Sequence, residues 1–239
     1  MVVKGKKLTL KEHWQKLKDE LAPMTPKQRW EHLWEYYRWV LGVLALVIAV
    51  VEIIATGIIN SNTEVLVSGV LLNMEPAEEG YIYLTDDYYN AHRTEGARQR
   101  VDLATRVYDS SENAEDPAYN YDVLQSIMAM IYAQDLDYII ADHSGMMQLL
   151  GPDFILDLRE IFTEEELAAM DGRVIKLVVE ETGETIPMAI DISDSEFCKA
   201  YNERTQIQYY MMFSITTPRP EVCREMYERI MVLEDSVSK

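Results

Sequence analysis

A chain of 239 residues, 48% of them hydrophobic, carries enough apolar material for a folded core, which excludes disorder over its whole length. Twenty-two Lys and Arg face 41 Asp and Glu, a formal net charge of −19. With no Lys/Arg stripe interleaved with aromatics, so acidic a chain repels phosphate backbones and disfavours a nucleic-acid partner.

The charge changes sign along the chain. Nine basic and six acidic residues precede Ser61, which leaves 13 basic and 35 acidic residues after it, a formal −22 against +3. Such asymmetry points to two compartments.

Two amphipathic helices are expected first. Residues 9–21 carry Trp14, Leu17 and Leu21, and residues 26–38 carry Trp30, Leu33, Trp34 and Tyr37, at spacings of three and four. Thr9, three before Glu12, forms a capping-box pattern, and Thr25 sets a cap ahead of Pro26 at the first helical position. Stripes of this kind lie on an inner membrane leaflet, or pack on each other or on a partner.

Residues 40–59, VLGVLALVIAVVEIIATGII, hold one charge in 20 positions, and at about 1.5 Å per residue they match a hydrocarbon core of about 30 Å. Trp30, Trp34, Tyr36, Tyr37 and Trp39 just before them suit the headgroup level. All nine basic residues precede the span, so the positive-inside rule sets residues 1–39 in the cytosol, a transmembrane helix over 40–60, and residues 61–239 outside, as a single-pass protein of the cell membrane. The competing readings are a buried helix of a soluble protein, which needs neither aromatic belt nor charge switch, and a cleaved secretory signal ending near Ala55-Thr56-Gly57. A leader of nearly 40 residues and an apolar run of about 20 are too long for the latter. Glu52 lies near the middle of the span, where an ionised carboxylate costs about 2.5–3.5 kcal/mol. It either contacts another membrane helix, of its own copy or of a partner, or is tolerated by an otherwise strongly apolar segment.

Beyond the span, strands and helices alternate. Residues 64–73 read as a buried strand, 81–92 as a weak helix ended near Gly96, and 99–108 as a second strand. Residues 121–134 set Leu124, Ile127, Met128, Ile131 and Tyr132 on one helical face. A short strand over 136–142 leads into a helix through Met146, Met147, Leu149 and Leu150, an extended piece at 154–158, and a helix opened by Thr163 with Glu164, Glu165 and Glu166. Residues 173–180 and 185–192 form a hairpin about Thr182-Gly183, followed by a helix over 195–204, a strand over 206–216 and a last helix over 218–233. The pattern predicts an α/β domain with a mostly parallel sheet and flanking helices.

The stretch LDYIIADHSGMMQLLGPDFILDL, residues 136–158, resembles the signature region of extracellular solute-binding proteins of ABC importers, where a strand ending in Asp leads to a helix and a Leu-Asp-Leu piece follows. The order of elements before it, and the strand and helix of residues 210–230, are similar to that family as well. The resemblance implies a periplasmic-binding-protein-like lobe, and the roughly 175 outer residues suffice for one lobe of the two. The whole layout also resembles small single-pass membrane proteins of Gram-positive bacteria with such an outer domain.

Open α/β sheets bind ligands at the carboxyl ends of their strands, where Asn73, Asp142, His143, Ser144, Asp191, Ser193 and Asp194 fall. These residues line a polar pocket for a small molecule, or cap the helices that follow. Asp142, His143 and Ser144 are the letters of a hydrolase triad, yet sequence neighbours rarely face one another and no G-x-S-x-G elbow surrounds Ser144, so no catalytic residue is expected. His92, His143, Asp86-Asp87 and Asp135/Asp137 lack metal-ligand spacing, and no phosphate or dinucleotide loop is present, so neither metal nor cofactor is expected. Cys198 and Cys223, the two cysteines, are either a disulfide or two buried thiols. The pattern as a whole reads as a non-catalytic, membrane-anchored extracytoplasmic module that binds a ligand or a protein. Its alternative is a structural or regulatory subunit of a membrane complex assembled through the transmembrane helix.

Overall fold

Thr25 and Pro26 open one helix, α1 (Pro26–Ser61), of 36 residues in the computed structural model, which describes residues 15, 18–19, 22–23, 25–61, 63–109, 117–170, 172–179, 182–201 and 207–233. The Thr25 N–H donates to Gln28 Oε1 at 3.0 Å, a side chain three residues on reaching back to satisfy the cap. At 1.5 Å per residue α1 is about 54 Å long. The separate helix expected over 26–38 is instead its first turns, because neither Pro nor a turn residue stands between Arg38 and Val40 to interrupt the hydrogen-bond ladder. Its segment Arg38–Gly57 has a mean hydropathy of 2.6 and none of it is buried. The helix expected over 9–21 lies largely outside the described residues.

A second unit starts at Thr63. Its elements run β1 (Glu64–Leu72), α2 (Glu78–Ile82), a π turn (Tyr83–Asp87), α3 (Tyr88–His92), β2 (Gln99–Arg106), α4 (Pro117–Tyr132), β3 (Tyr138–Asp142) and α5 (His143–Leu149). Then follow a 3-10 turn (Leu158–Glu160), α6 (Glu164–Ala169), β4 (Val174–Val178), β5 (Thr185–Asp191), α7 (Glu196–Tyr201), β6 (Tyr209–Phe213) and α8 (Pro220–Met231). Thr163 and Glu166 cap α6 reciprocally, and Thr163 with Arg224 holds the Glu166 carboxyl below its ordinary range.

The six strands form one sheet in the order β2-β1-β3-β6-β5-β4. β1 runs parallel to β2 and β3, whereas β6 is antiparallel to β3 and β5, and β4 is antiparallel to β5. The expected mostly parallel sheet is therefore a mixed one. β1, β2, β3 and β5 share a direction, and the last strand returns to insert between β3 and β5 against it.

The central strands are mostly apolar because both of their faces are covered. On one face Val67, Leu71, Ile140, Met211 and Phe213 pack with Tyr83, Tyr88, Phe197, Met226 and Ile230 from the helical elements 78–92, α7 and α8. On the other, Val70, Leu72, Ile139 and Met212 meet Val123, Ile127 and Ile131 of α4 and Met146 and Leu149 of α5. The edge strands β2 and β4 are only partly buried. Gly69 lies opposite Tyr138, and a Cβ there would overlap the Tyr138 ring, so a side chain at this position would force that buried ring to move.

Cys198 and Cys223 are both buried free thiols, so the disulfide considered for them is not formed. Cys223 Sγ is aimed at Asp137 O, 3.5 Å away, and burial pushes its thiol up to about 12, while burial also raises Cys198.

Asp137 ties the layers together. Its fully buried carboxylate accepts the Ser68 N–H at 2.8 Å, the Thr217 hydroxyl at 2.7 Å, and Arg219 Nε and Nη2 at 3.1 and 2.8 Å. Arg219 Nη1 goes on to donate to Val65 O at 2.6 Å. Asp137→Ala strands the Arg219 guanidinium and one strand N–H, and is expected to cost about 3–5 kcal/mol. Urea unfolding of the full chain in detergent measures it, and a loss below about 1 kcal/mol would show that the pair does not hold the sheet to α8.

Candidate functional site

Because β1, β2, β3 and β5 point the same way, Leu72, Arg106, Asp142 and Asp191 end at one edge of the sheet. The chain leaving β1 turns at Asn73, whose φ of +60° lies in the left-handed region that Asn tolerates better than most residues. That turn aims its amide across the neighbouring strand ends. Asn73 Oδ1 accepts the Tyr108 N–H at 2.6 Å, and Nδ2 donates to Tyr108 O at 3.0 Å and to Asp142 Oδ1 at 3.1 Å. One side chain thus ties the exit of β1 to the exits of β2 and β3.

Asp142 is the N-cap of α5 and accepts the Gly145 N–H at 2.8 Å and the Ser144 hydroxyl at 3.1 Å. A Cβ on Gly145 would press into Leu72, so α5 starts hard against the end of β1. The capping reading of Asp142 is therefore correct, and the same carboxylate also lines a cleft. This cleft has a volume of about 440 Å³ and is bordered by Asn73, Glu75, Tyr108, Asp109 and Asp142, with Val107 and Ile207 as its aliphatic members. It lies where the connections leaving β1 and β3 part to opposite faces, the usual ligand position of an open α/β sheet.

The other expected site residues are not gathered there. Ser144 faces Asp142, and exposed His143 lies with its ring 5.9 Å from that of Tyr210. Asp191 accepts the Ser193 N–H at 2.9 Å and the Ser193 hydroxyl at 2.5 Å, while Ser193 Oγ accepts the Tyr209 N–H at 3.0 Å. This self-contained turn, with exposed Asp194 behind it, stands at the same sheet edge with the whole width of β6 between it and Asp142. Burial and the Asp191 charge raise the Tyr210 phenol above its ordinary range.

Glu75, Val107, Tyr108, Asp109 and Ile207 were not expected at the site. β2 ends at Arg106 rather than running on to Tyr108, so residues that read as strand are the cleft wall. A search up to three positions past each expected strand end would have found Glu75 and Asp109. A second concavity of about 400 Å³ lies elsewhere, between α6 and the β4–β5 edge, and its Arg159 is held by Asp157 and Glu184. Among the described residues no three His, Cys, Asp or Glu side chains are grouped to hold a metal ion.

Compared with protein-family models, with curated proteins and with solved structures, the chain matches none.

Asn73→Ala removes three hydrogen bonds and leaves a Cβ at positive φ, whereas Asn73→Gly removes the same bonds without the backbone penalty. Both are expected to lower stability by about 1–3 kcal/mol, alanine more than glycine. Equal losses in thermal unfolding would mean that the left-handed turn is not under strain.

Proposed function

We propose that this protein is a membrane-anchored extracytoplasmic module that binds a small ligand and catalyses no reaction. The observation that carries the reading is the cleft of about 440 Å³ at the carboxyl ends of β1, β2 and β3, a volume within the range of small-molecule sites. Its floor is set by side chains that are already hydrogen-bonded, so the pocket is preformed and binding costs little reordering. The resemblance of residues 136–158 to the signature region of solute-binding proteins agrees with this use of the strand ends.

Anchoring is supported by α1, whose segment Arg38–Gly57 is long and apolar enough to cross a membrane and keeps its side chains exposed. The nine basic residues ahead of residue 60 and the −22 beyond it favour a cytosolic start and an outer α/β unit. The geometry around Ser144 supports the non-catalytic reading. Its hydroxyl donates to Asp142, and the neighbouring His143 ring lies toward Tyr210, so the triad letters do not form a relay.

Two experiments test the proposal. In sealed cells or right-side-out vesicles, added protease should digest residues beyond 61 while a tag at Met1 survives; loss of the tag with the rest would overturn the topology. A panel of cationic, neutral and anionic small molecules, scored by the unfolding midpoint of the full chain in detergent, should contain at least one stabilising member. Val107→Trp, which fills the cleft, should abolish that gain, and a panel without a hit, or hits indifferent to the filled cleft, would sink the binding role.

A further inference from the structure

β4 is the last strand on its side of the sheet. Among the described residues β5 pairs with its inner side and no strand pairs with its outer one. The alternation of an antiparallel ladder fixes which backbone groups are left over. Arg173 O accepts the Asp191 N–H at 2.8 Å, and the Val179 N–H donates to Glu184 O at 2.9 Å, so the backbone groups of the odd-numbered residues face β5. The extra residue of the β4–β5 bulge, Met188, lies on β5, which leaves the alternation of β4 unbroken. The N–H and C=O groups of Val174, Lys176 and Val178 therefore point away from the sheet. Pro187 stands opposite Lys176 and has no N–H to offer it, in keeping with the same alternation. From this edge we infer that β4 receives an extended peptide as an added antiparallel strand, one with an acidic residue between two aliphatic ones at alternate positions.

The side chains of β4 set that pattern. Val174 packs on the sheet face that carries Phe213 and α8, whereas Ile175 and Leu177 pack on the other, so Val174, Lys176 and Val178 share one face. On that face the groove of about 400 Å³ lies between β4 and α6, with Val174, Lys176 and Pro187 on its sheet side and Leu167 and Ala168 on its helix side. Directly opposed residues of an antiparallel pair fall on the same face, so an added strand sets one residue against each of the three. Exposed Val178 and partly buried Val174 suit aliphatic neighbours, and exposed Lys176 suits a carboxylate.

Charge selects the occupant. Lys176 forms no ion pair among the described residues, while Arg159 in the same groove is already held by Asp157 and Glu184. The groove's carboxylate, Glu164, belongs to α6 and not to the strand. A second copy of β4 paired over all five residues would set Lys176 against its own counterpart, and a lysine in an edge strand works against such self-pairing. A strand that offers Asp or Glu at that place gains an opposite-charge pair instead. Main-chain hydrogen bonds along the edge supply affinity, and the groove beside it supplies selectivity. This edge is separate from the cleft at the strand ends, so neither reading depends on the other.

Fluorescence anisotropy of a labelled peptide, acetyl-Ser-Val-Ser-Glu-Ser-Val-Ser-amide, with the full chain in detergent tests this. The peptide should bind saturably. Lys176→Glu should weaken it by about tenfold or more, and a peptide with Lys in place of its Glu should recover binding to that variant. Val178→Pro removes an outward N–H and leaves the β4–β5 ladder intact, so it should weaken binding while the unfolding midpoint shows the chain folded. Methylating the backbone nitrogen of the peptide's Glu should abolish binding, because that N–H faces β4, whereas methylating the Ser after it should not. Equal binding of the two methylated peptides would overturn strand addition, and that comparison needs no variant of the chain. Equal binding of the Glu and Lys peptides by the unaltered chain would overturn the acidic selectivity. A dimer in detergent that Val178→Pro dissociates and the peptide does not would give the edge to a second copy, and no binding by any peptide would overturn the inference outright.

Discussion

A single buried carboxylate holds the α/β unit in register. Asp137 stands at the entrance to β3, bonds the β1 backbone at Ser68, and through Arg219 reaches Val65 and the start of α8. A charge with none of its side chain exposed is tolerable only when paired and fully hydrogen-bonded, and all of Asp137's partners are supplied by the elements it joins. The consequence is that β1, β3 and α8 meet only in one arrangement. Cys223 packs under the same group and is thereby committed to a structural role, its thiol held protonated by burial.

From that clamp at one end of β1 and β3 the geometry of the other end follows. With the two strands locked side by side, their carboxyl ends lie adjacent, and Asn73 and Asp142 come within hydrogen-bond reach. The left-handed turn at Asn73 then captures the exit of β2 through Tyr108. Binding surfaces at strand ends are rigid when the strands are, since loops borrow their order from the sheet that launches them. The mixed sheet serves the same purpose on the far side. β6 inserts antiparallel between β3 and β5 and so parts the Asp191–Ser193 turn from the cleft by one strand.

α1 obeys a different constraint from the α/β unit. Apolar side chains at exposed positions over Arg38–Gly57 require an apolar medium or an apolar partner, whereas the α/β unit has buried its own apolar residues on the two faces of its sheet.

The sequence by itself determined what depends on near neighbours. The apolar run over 40–59, the face of α4 at Ile127 and Ile131, the Thr163 cap, the hairpin at Gly183 and the alternation of strands and helices are all set by spacings of two to four residues. Seven site residues were legible as strand-end positions, yet only Asn73 and Asp142 line the cleft. The order and direction of the strands, the joining of residues 26–38 to the apolar run, the unbridged cysteines and the cleft wall at Glu75, Tyr108 and Asp109 were decided by tertiary structure. The reason is range. Asp137 meets Ser68 across 69 residues and Arg219 across 82, and Arg219 meets Val65 across 154, so which strand lies beside which is settled by desolvated charge pairs and two-sided packing that leave no periodic trace in the chain.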